Sequence, residues 1–363
     1  MISGHRLATA LLAVGLTASI ATLAPAPADA GTGLSWRDLD TNSEAQFRGL
    51  APVSRHVAWV SGTEGTVLRT VDGGRHWTDV SPGGDTGDLE FRDIEAWDEL
   101  HAVILSIGTG GDSRIYRTDD GGRHWKQGFR NHSKDAFYDC LGFWDQRHGL
   151  AMSDPVHGKF RILVTKNGGR SWEKRPASGM PPALDGEFGF AASGTCLVTA
   201  GKDDAWIASG GAAARVFHTT DRGRTWTVTD TPIVRSDAGG IFSLAVRDTR
   251  TLVAVGGDFE KPTKGKHTSA YSDDGGTTWT AGGDLGGYRS GAAFLPPTAA
   301  TGRPSNGVIA VGPTGTNVSF DGGVTWKGVR RGAFDAVECT GDGACWASGP
   351  DGRVALLDGL KKR

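Results

Sequence analysis

The chain has almost no charge imbalance. Its 39 Lys and Arg stand against 41 Asp and Glu in 363 residues, a net charge of −2. Nucleic-acid or anionic-membrane binding calls for a basic patch or stripe, and none is present. Helical periodicity is essentially missing beyond residue 30. One apolar run occupies residues 7–23, and no second stretch is long enough to span a bilayer. There are four cysteines and no C-x-x-C, so a thioredoxin-like redox role has no motif. Ten histidines include no H-E-x-x-H pair, and no metal site is expected. A G-x-S-x-G elbow, a P-loop and a dinucleotide fingerprint are all missing, so no cofactor is expected. The stretch Gly108-Thr109-Gly110-Gly111 lies between strand-like segments, not before a helix, and does not read as a phosphate cradle. The acidic run Asp85-Thr86-Gly87-Asp88-Leu89-Glu90 lacks the EF-hand loop pattern and reads as a turn.

Residues 1–30 read as a secretory signal. His5 and Arg6 form a short basic region, an apolar run follows, and Ala28-Asp29-Ala30 makes a small-residue cleavage site before Gly31. Pro25 and Pro27 break the run, which argues against a retained anchor. Cleavage removes Arg6 and Asp29, so the net charge stays at −2. The expected product, residues 31–363, is secreted or periplasmic, monomeric and long enough for a large core. In an oxidising compartment, Cys339 and Cys345 flank the hairpin loop Thr340-Gly341-Asp342-Gly343-Ala344 and are expected to pair. Cys140 and Cys196 occupy equivalent segments of neighbouring repeats, and their pairing is left open.

What the chain has in abundance is glycine, 56 residues, and one repeated phrase. Ser/Thr-x-Asp-x-Gly-x-x-Trp occurs at 70–77, 118–125, 165–172, 219–226, 272–279 and 319–326. Successive closing tryptophans are 48, 47, 54, 53 and 47 residues apart. A short phrase at such a period signals a repeat architecture. Within the phrase, Asp72, Asp120, Asn167, Asp221, Asp274 and Asp321 can accept backbone N–H groups as in an Asx-turn. The hydroxyl can join the same set, and the glycines supply φ > 0. Trp77, Trp125, Trp172, Trp226, Trp279 and Trp326 are placed to bury large apolar surfaces between neighbouring sheets. Two copies deviate. Asn167 keeps an acceptor oxygen without charge, and Arg222 replaces the first glycine of the fourth copy.

Each repeat reads as four short strands joined by tight turns, one antiparallel blade. Opening strands are expected near Phe47, Phe91, Phe137, Phe188, Ile241, Ser290 and Phe334. That makes seven starts against six phrases. The last unit, 334–357, has three strands. The missing fourth is expected from Leu34-Ser35-Trp36-Arg37-Asp38-Leu39, which matches His76-Trp77-Thr78-Asp79-Val80 after the first phrase. The fold expected is all-β, a seven-bladed β-propeller closed by its N-terminal strand.

The phrase resembles the Asp-box, or bacterial neuraminidase repeat, over nearly the whole chain after residue 30. Families with such boxes include sialidases, xyloglucan-type endoglucanases, sortilin-type receptors and photosystem II assembly/stability factors. The runs Leu68-Arg69-Thr70-Val71-Asp72-Gly73-Gly74-Arg75-His76-Trp77 and Tyr116-Arg117-Thr118-Asp119-Asp120-Gly121-Gly122-Arg123-His124-Trp125 look like the units of the last group. So do Ala58-Trp59-Val60-Ser61-Gly62 and Ala205-Trp206-Ile207-Ala208-Ser209-Gly210-Gly211. The sialidase pattern is poorly matched, because no Arg-Ile-Pro occurs and only Tyr116, Tyr138, Tyr271 and Tyr288 could serve as its tyrosine. The resemblance implies an exported, non-enzymatic binding or assembly scaffold whose partner is a protein or an extracellular glycan. The alternative is a glycoside hydrolase, sialidase-like or xyloglucanase-like. Fold alone does not choose between them.

The boxes lie between third and fourth strands, so binding groups are expected on the opposite face. The candidates there are Arg92, Asp93, Asp154, Lys159, Glu187, Asp258, Tyr288 and Arg289, with Glu95 and Asp185 nearby. Tyr288-Arg289 is the leading pair, since both types favour interface hot spots. In the hydrolase alternative, Asp154 and Asp258 would be acid and base.

Overall fold

A computed structural model describes residues 32–296, 306–329 and 332–360. The signal-like segment 1–30 lies outside the described residues. Seven antiparallel sheets form among them. Their first strands are Phe47–Pro52, Phe91–Ala96, Tyr138–Phe143, Leu197–Ala200, Ser236–Val246, Gly291–Phe294 and Ala336–Cys339. Each first strand packs on that of the next blade, and the seventh packs on the first. The result is a seven-bladed β-propeller with its first strands around a central axis. Apolar residues on the facing sheets form one buried cluster per blade interface, which is how the ring stacks its cores.

The seventh sheet is composite. Ser35–Leu39 pairs antiparallel with Val354–Asp358, running from Ser35 opposite Asp358 to Leu39 opposite Val354. Trp36 is 4% exposed and packs 5.0 Å from the Phe334 ring. Its Nε1 donates to Thr316 Oγ1 of the sixth blade at 3.0 Å.

The box chemistry is the same in each copy. In the second, Thr118 Oγ1 donates to Asp120 Oδ1 at 3.0 Å and accepts Gly122 N–H at 2.9 Å. Asp120 Oδ1 also accepts His124 N–H at 2.9 Å. The second carboxylate oxygen takes the side chain before the tryptophan: His76, His124, Thr225, Thr278 or Thr325. Asn167 keeps the acceptor role through Oδ1, while its amide donates to Ser171 Oγ at 2.8 Å. Arg222 adopts φ +58°, where its copies have glycine, and is held by Asp203 and the Lys202 carbonyl. Trp125, Trp226 and Trp326 donate their indole N–H. Trp77, Trp172 and Trp279 find no acceptor among the described residues. Thr118 is buried and its oxygen also receives Asp120 N–H, so an isosteric Thr118→Val orphans two backbone donors. Urea unfolding should show a loss of about 1–3 kcal/mol. An unchanged midpoint would remove the hydroxyl from the stabilising set.

Both cysteine pairs are disulfides. Cys339 and Cys345 face each other across the first hairpin of the seventh blade. Cys140 and Cys196 join the third and fourth blades at the axis, with Cα atoms 6.0 Å apart.

One opening strand differs from expectation. The fourth blade does not begin near Phe188 but at Leu197–Ala200. Glu187–Phe188 instead pairs with Gly210–Gly211, which extends the fifth sheet to six strands. The reason is side-chain pairing. Glu187 is drawn to Arg215 and Ser209, and the glycines at 189 and 194 release the chain between from the sheet.

Candidate functional site

Four first strands carry a bulge at the same level. The pairing shifts register between Phe47 and Gly49, Phe91 and Asp93, Tyr138 and Cys140, and Ile241 and Ser243. The extra residues are Arg48, Arg92, Asp139 and Phe242. A bulge re-aims one side chain and is common beside functional sites. After three of the four bulges, the next residue ties blades together. Asp93 Oδ2 accepts Leu141 N–H at 2.6 Å, Cys140 bonds Cys196, and Ser243 Oγ accepts Ala292 N–H at 2.9 Å.

Above this tier lies a basin of about 550 Å³ on the face opposite the boxes. One half is aromatic. Phe190 stacks on Phe242 at 3.8 Å, Tyr288 meets Phe242 at 4.6 Å, and Phe259 closes edge-on at 6.3 Å from Phe242. Phe259 is 48% exposed. The other half carries Arg48 and Arg92, with Asp335 and Phe334 beside them. Arg92 forks onto Glu90 Oε2 at 2.6 and 2.8 Å. Arg48 approaches Asp335 Oδ1 at 3.7 Å, and Gln46 already donates to the other oxygen of that carboxylate. Burial drives the Tyr288 hydroxyl well above the usual phenol range, so it stays protonated. The basin therefore offers a flat apolar wall facing two cations, which suits a ligand with an apolar part and an anionic part.

The candidate residues separate. Arg92 and Tyr288 line the basin. Arg289, next to Tyr288, is buried. It donates to Asn317, Thr314 and the Leu285 carbonyl, and burial lowers its pKa to about 10. Asp93, Glu95 and Glu338 line a channel cavity of about 310 Å³. Asp154 and Glu187 line a separate cavity of about 500 Å³ together with Asp185. There Glu187 is saturated by Arg215, Ser209 and Leu184 N–H, while burial raises Asp154. Lys159 borders a flank cavity and donates to the Ala177 carbonyl. Asp258 accepts from Ser236, Lys261 and Glu260 N–H. Burial pushes Asp258 up, but the bonds from Lys261 and Ser236 outweigh it and hold it below the usual carboxylate range. Asp258 does not line the Asp154 cavity, so the geometry gives no acid–base pair across a shared cavity. Among the described residues, no three His, Cys, Asp or Glu could hold a metal ion, and no helix is long and apolar enough to cross a membrane.

Arg48, Phe190, Phe242, Phe259 and Asp335 were not singled out by sequence. A signal for two of them exists. Phe47-Arg48-Gly49, Phe91-Arg92-Asp93, Tyr138-Asp139-Cys140 and Ile241-Phe242-Ser243 are equivalent triplets in four of the first strands, with the middle residue directed by the bulge.

The BNR/Asp-box repeat family model matches residues 270–281, the copy in the fifth blade. No curated protein matches the chain. Among solved structures, one described as YCF48 bound to D1 peptide is 17% identical with a TM-score of 0.62, covering 88% of this chain and 96% of that one. YCF48 from Cyanidioschyzon merolae is also 17% identical, with a TM-score of 0.60 over 89% and 98%. The WD40 β-propeller domain of Doa1 is 12% identical, with a TM-score of 0.58 over 90% and 98%. Identities this low carry the fold alone. The chain is an all-β, seven-bladed β-propeller with an Asp-box repeat match, similar in fold to YCF48.

Proposed function

We propose that the protein is an exported, non-enzymatic binding scaffold that captures a segment of a partner protein in the basin. The observation that carries this reading is the division of the basin into an aromatic wall and an Arg48–Arg92 pair. Aromatic side chains supply large contact area at low entropic cost, and arginines pair with carboxylates in two-pronged geometry. The ligand is thus a peptide segment with an aromatic or bulky apolar side chain next to an Asp, Glu or terminal carboxylate. The solved structure of YCF48 with a D1 peptide supports peptide capture by a propeller of this fold. Export is supported by the signal-like segment 1–30 and by two disulfides.

A random-peptide display library and a glycan array, screened side by side, test the reading. Enriched peptides should combine an aromatic residue with an acidic one. Arg48→Ala and Arg92→Ala should each weaken the best peptide by roughly tenfold or more, the scale of one charge-assisted hydrogen bond. A strong glycan signal with no peptide enrichment would replace the protein partner with a glycan.

A further inference from the structure

The fourth blade departs from its neighbours where residues 189–194 leave the sheet and cross the basin. Four other blades grip this strap. Gly189 N–H donates to Asp154 Oδ1 at 2.7 Å. The Ala191 carbonyl accepts from Arg92 Nη1 at 3.2 Å, and the Ala192 carbonyl accepts from Arg48 Nη1 at 3.3 Å. Phe190 lies flat on Phe242, the planes 13° apart. The strap thus uses the basin as a bound peptide would, with an aromatic ring on the wall and oxygens on the arginines.

The grip is incomplete. Both arginine contacts are long for charge-assisted bonds. Arg48 Nε has no partner among the described residues. Under Gly189 sits Asp139, 2% exposed, whose Oδ2 is also unpartnered. Buried polar atoms without partners raise the free energy of the state that contains them. A carboxylate from outside could serve the two guanidinium groups better than strap carbonyls do. The strap also has glycine at both ends. A Cβ on Gly189 would stand 2.8 Å from Met152 Cε, and one on Gly194 would stand 2.6 Å from Asp93 Oδ1. Gly194 adopts φ +78°. A side chain at 194 is thus strained while the strap is in place, one at 189 would have to displace the Met152 methyl, and glycine at both ends leaves the backbone free to swing.

We propose that residues 189–194 are a displaceable internal ligand: an incoming segment with an aromatic side chain and a carboxylate takes the Phe242 wall and the Arg48–Arg92 pair, and the strap leaves them. This rests on the peptide-binding reading of the basin. Only the strap-out fraction binds, so the apparent affinity is the intrinsic affinity scaled by that fraction. Loosening the strap from its ends, outside the basin, raises that fraction.

The probe is N-acetyl-L-phenylalanine, with the corresponding amide as control, titrated by calorimetry. It is applied to the wild type, to Gly194→Ala, and to Asp154→Ala, which removes the acceptor of Gly189 N–H. Two variants are used because the alanine at 194 crowds Asp93, and thermal melting establishes which variants are folded. Each folded loosened variant should bind the acid about tenfold more tightly than the wild type, as expected if the competent fraction rises from about a tenth to near one. The amide, lacking the carboxylate that pairs with the arginines, should bind every form more weakly than the acid. In the wild type, saturating acid should speed hydrogen exchange of the 189–194 amides. Unchanged or weaker affinity in the folded variants, or slower strap exchange on saturation, overturns the proposal. The basin reading fails separately. Wild-type binding lost in Arg92→Ala, with no gain in the loosened variants, leaves the basin standing and removes the strap. No binding by any form overturns both.

Discussion

Deletion of residues 31–40 is expected to abolish cooperative folding of the whole ring, not merely to fray one edge. Residues 32–39 contribute the outer strand of the seventh sheet and the indole between the sixth and seventh blades. Trp36 alone is nearly fully buried. Its replacement by alanine should cost about 3–5 kcal/mol, the range for large-to-small changes in a core. The deletion adds the loss of the buried Leu34 side chain and exposes Leu357. It also leaves Val354–Asp358 as an unpaired edge. Against a total stability of about 5–15 kcal/mol, that sum is large enough to unfold the chain. The ion pairs Arg37–Asp358 and Arg353–Asp38 are largely exposed and add little. Urea unfolding followed by tryptophan fluorescence and far-UV circular dichroism measures this. Trp36→Ala should shift the midpoint with a coincident transition by both probes, and the deletion should show no native baseline. A deletion that melts like the full chain would mean that the seventh blade is stable with three strands.

The second large effect is on pH dependence. Asp93, Glu95 and Glu338 face one another across the channel cavity. Burial comes first in raising each of them, and their mutual repulsion adds for Asp93 and Glu338. Glu95 is lifted to about 7. The folded state therefore binds protons that the unfolded state has released. The stabilisation is complete below the unfolded carboxylate range, near pH 4.5, and is lost as pH rises through about 7. For Glu95 alone the loss is on the order of 3 kcal/mol. The box carboxylates act in the opposite window. Hydrogen bonds from the His124 side chain and backbone lower Asp120 to about 2, so its contribution is present above the ordinary carboxylate range and fades as pH falls toward 2. Together these place maximum stability in mildly acidic solution. Urea midpoints should fall between pH 5 and pH 8 for the wild type. Glu95→Gln and Glu338→Gln should be more stable than the wild type at pH 8 and close to it at pH 5. A wild-type midpoint independent of pH over this range would show that the channel acids are compensated.

The two effects differ in how far sequence reaches them. Trp36 is visible as a stand-in for the missing closing strand because its neighbours repeat the pattern after the first box. The repulsion among Asp93, Glu95 and Glu338 is not visible. Asp93 and Glu95 come from the second blade and Glu338 from the seventh, and only ring closure makes them neighbours.

The same division holds for the site. Arg92 and Tyr288 were legible as polar or aromatic groups near blade entrances. Arg289, adjacent to Tyr288, carries the same sequence signal yet is buried as a tie to Asn317. The two lie in the irregular segment before the strand Gly291–Phe294, where tertiary partners set each side chain's direction: Asn317, Thr314 and the Leu285 carbonyl draw Arg289 inward while Tyr288 packs on Phe242. Phe190 and the strap were hidden for a related reason. The run around Phe188 has strand character, but Glu187 pairs with Arg215 and the flanking glycines free the chain to cross the basin.

By itself, the sequence determined the repeat, the seven-blade count and the terminal strand that completes the seventh sheet. Each of these is written in local chemistry, a hydroxyl, a carboxylate, a glycine and a tryptophan within eight residues, copied along the chain. Only the tertiary structure decided which side chains reach the axis. That choice depends on one-residue bulges in separate first strands and on the strap that covers Asp139. The aromatic wall comes from residues 190–288 and the arginines from the first two blades, so no local pattern can place that wall opposite two arginines until the ring has closed.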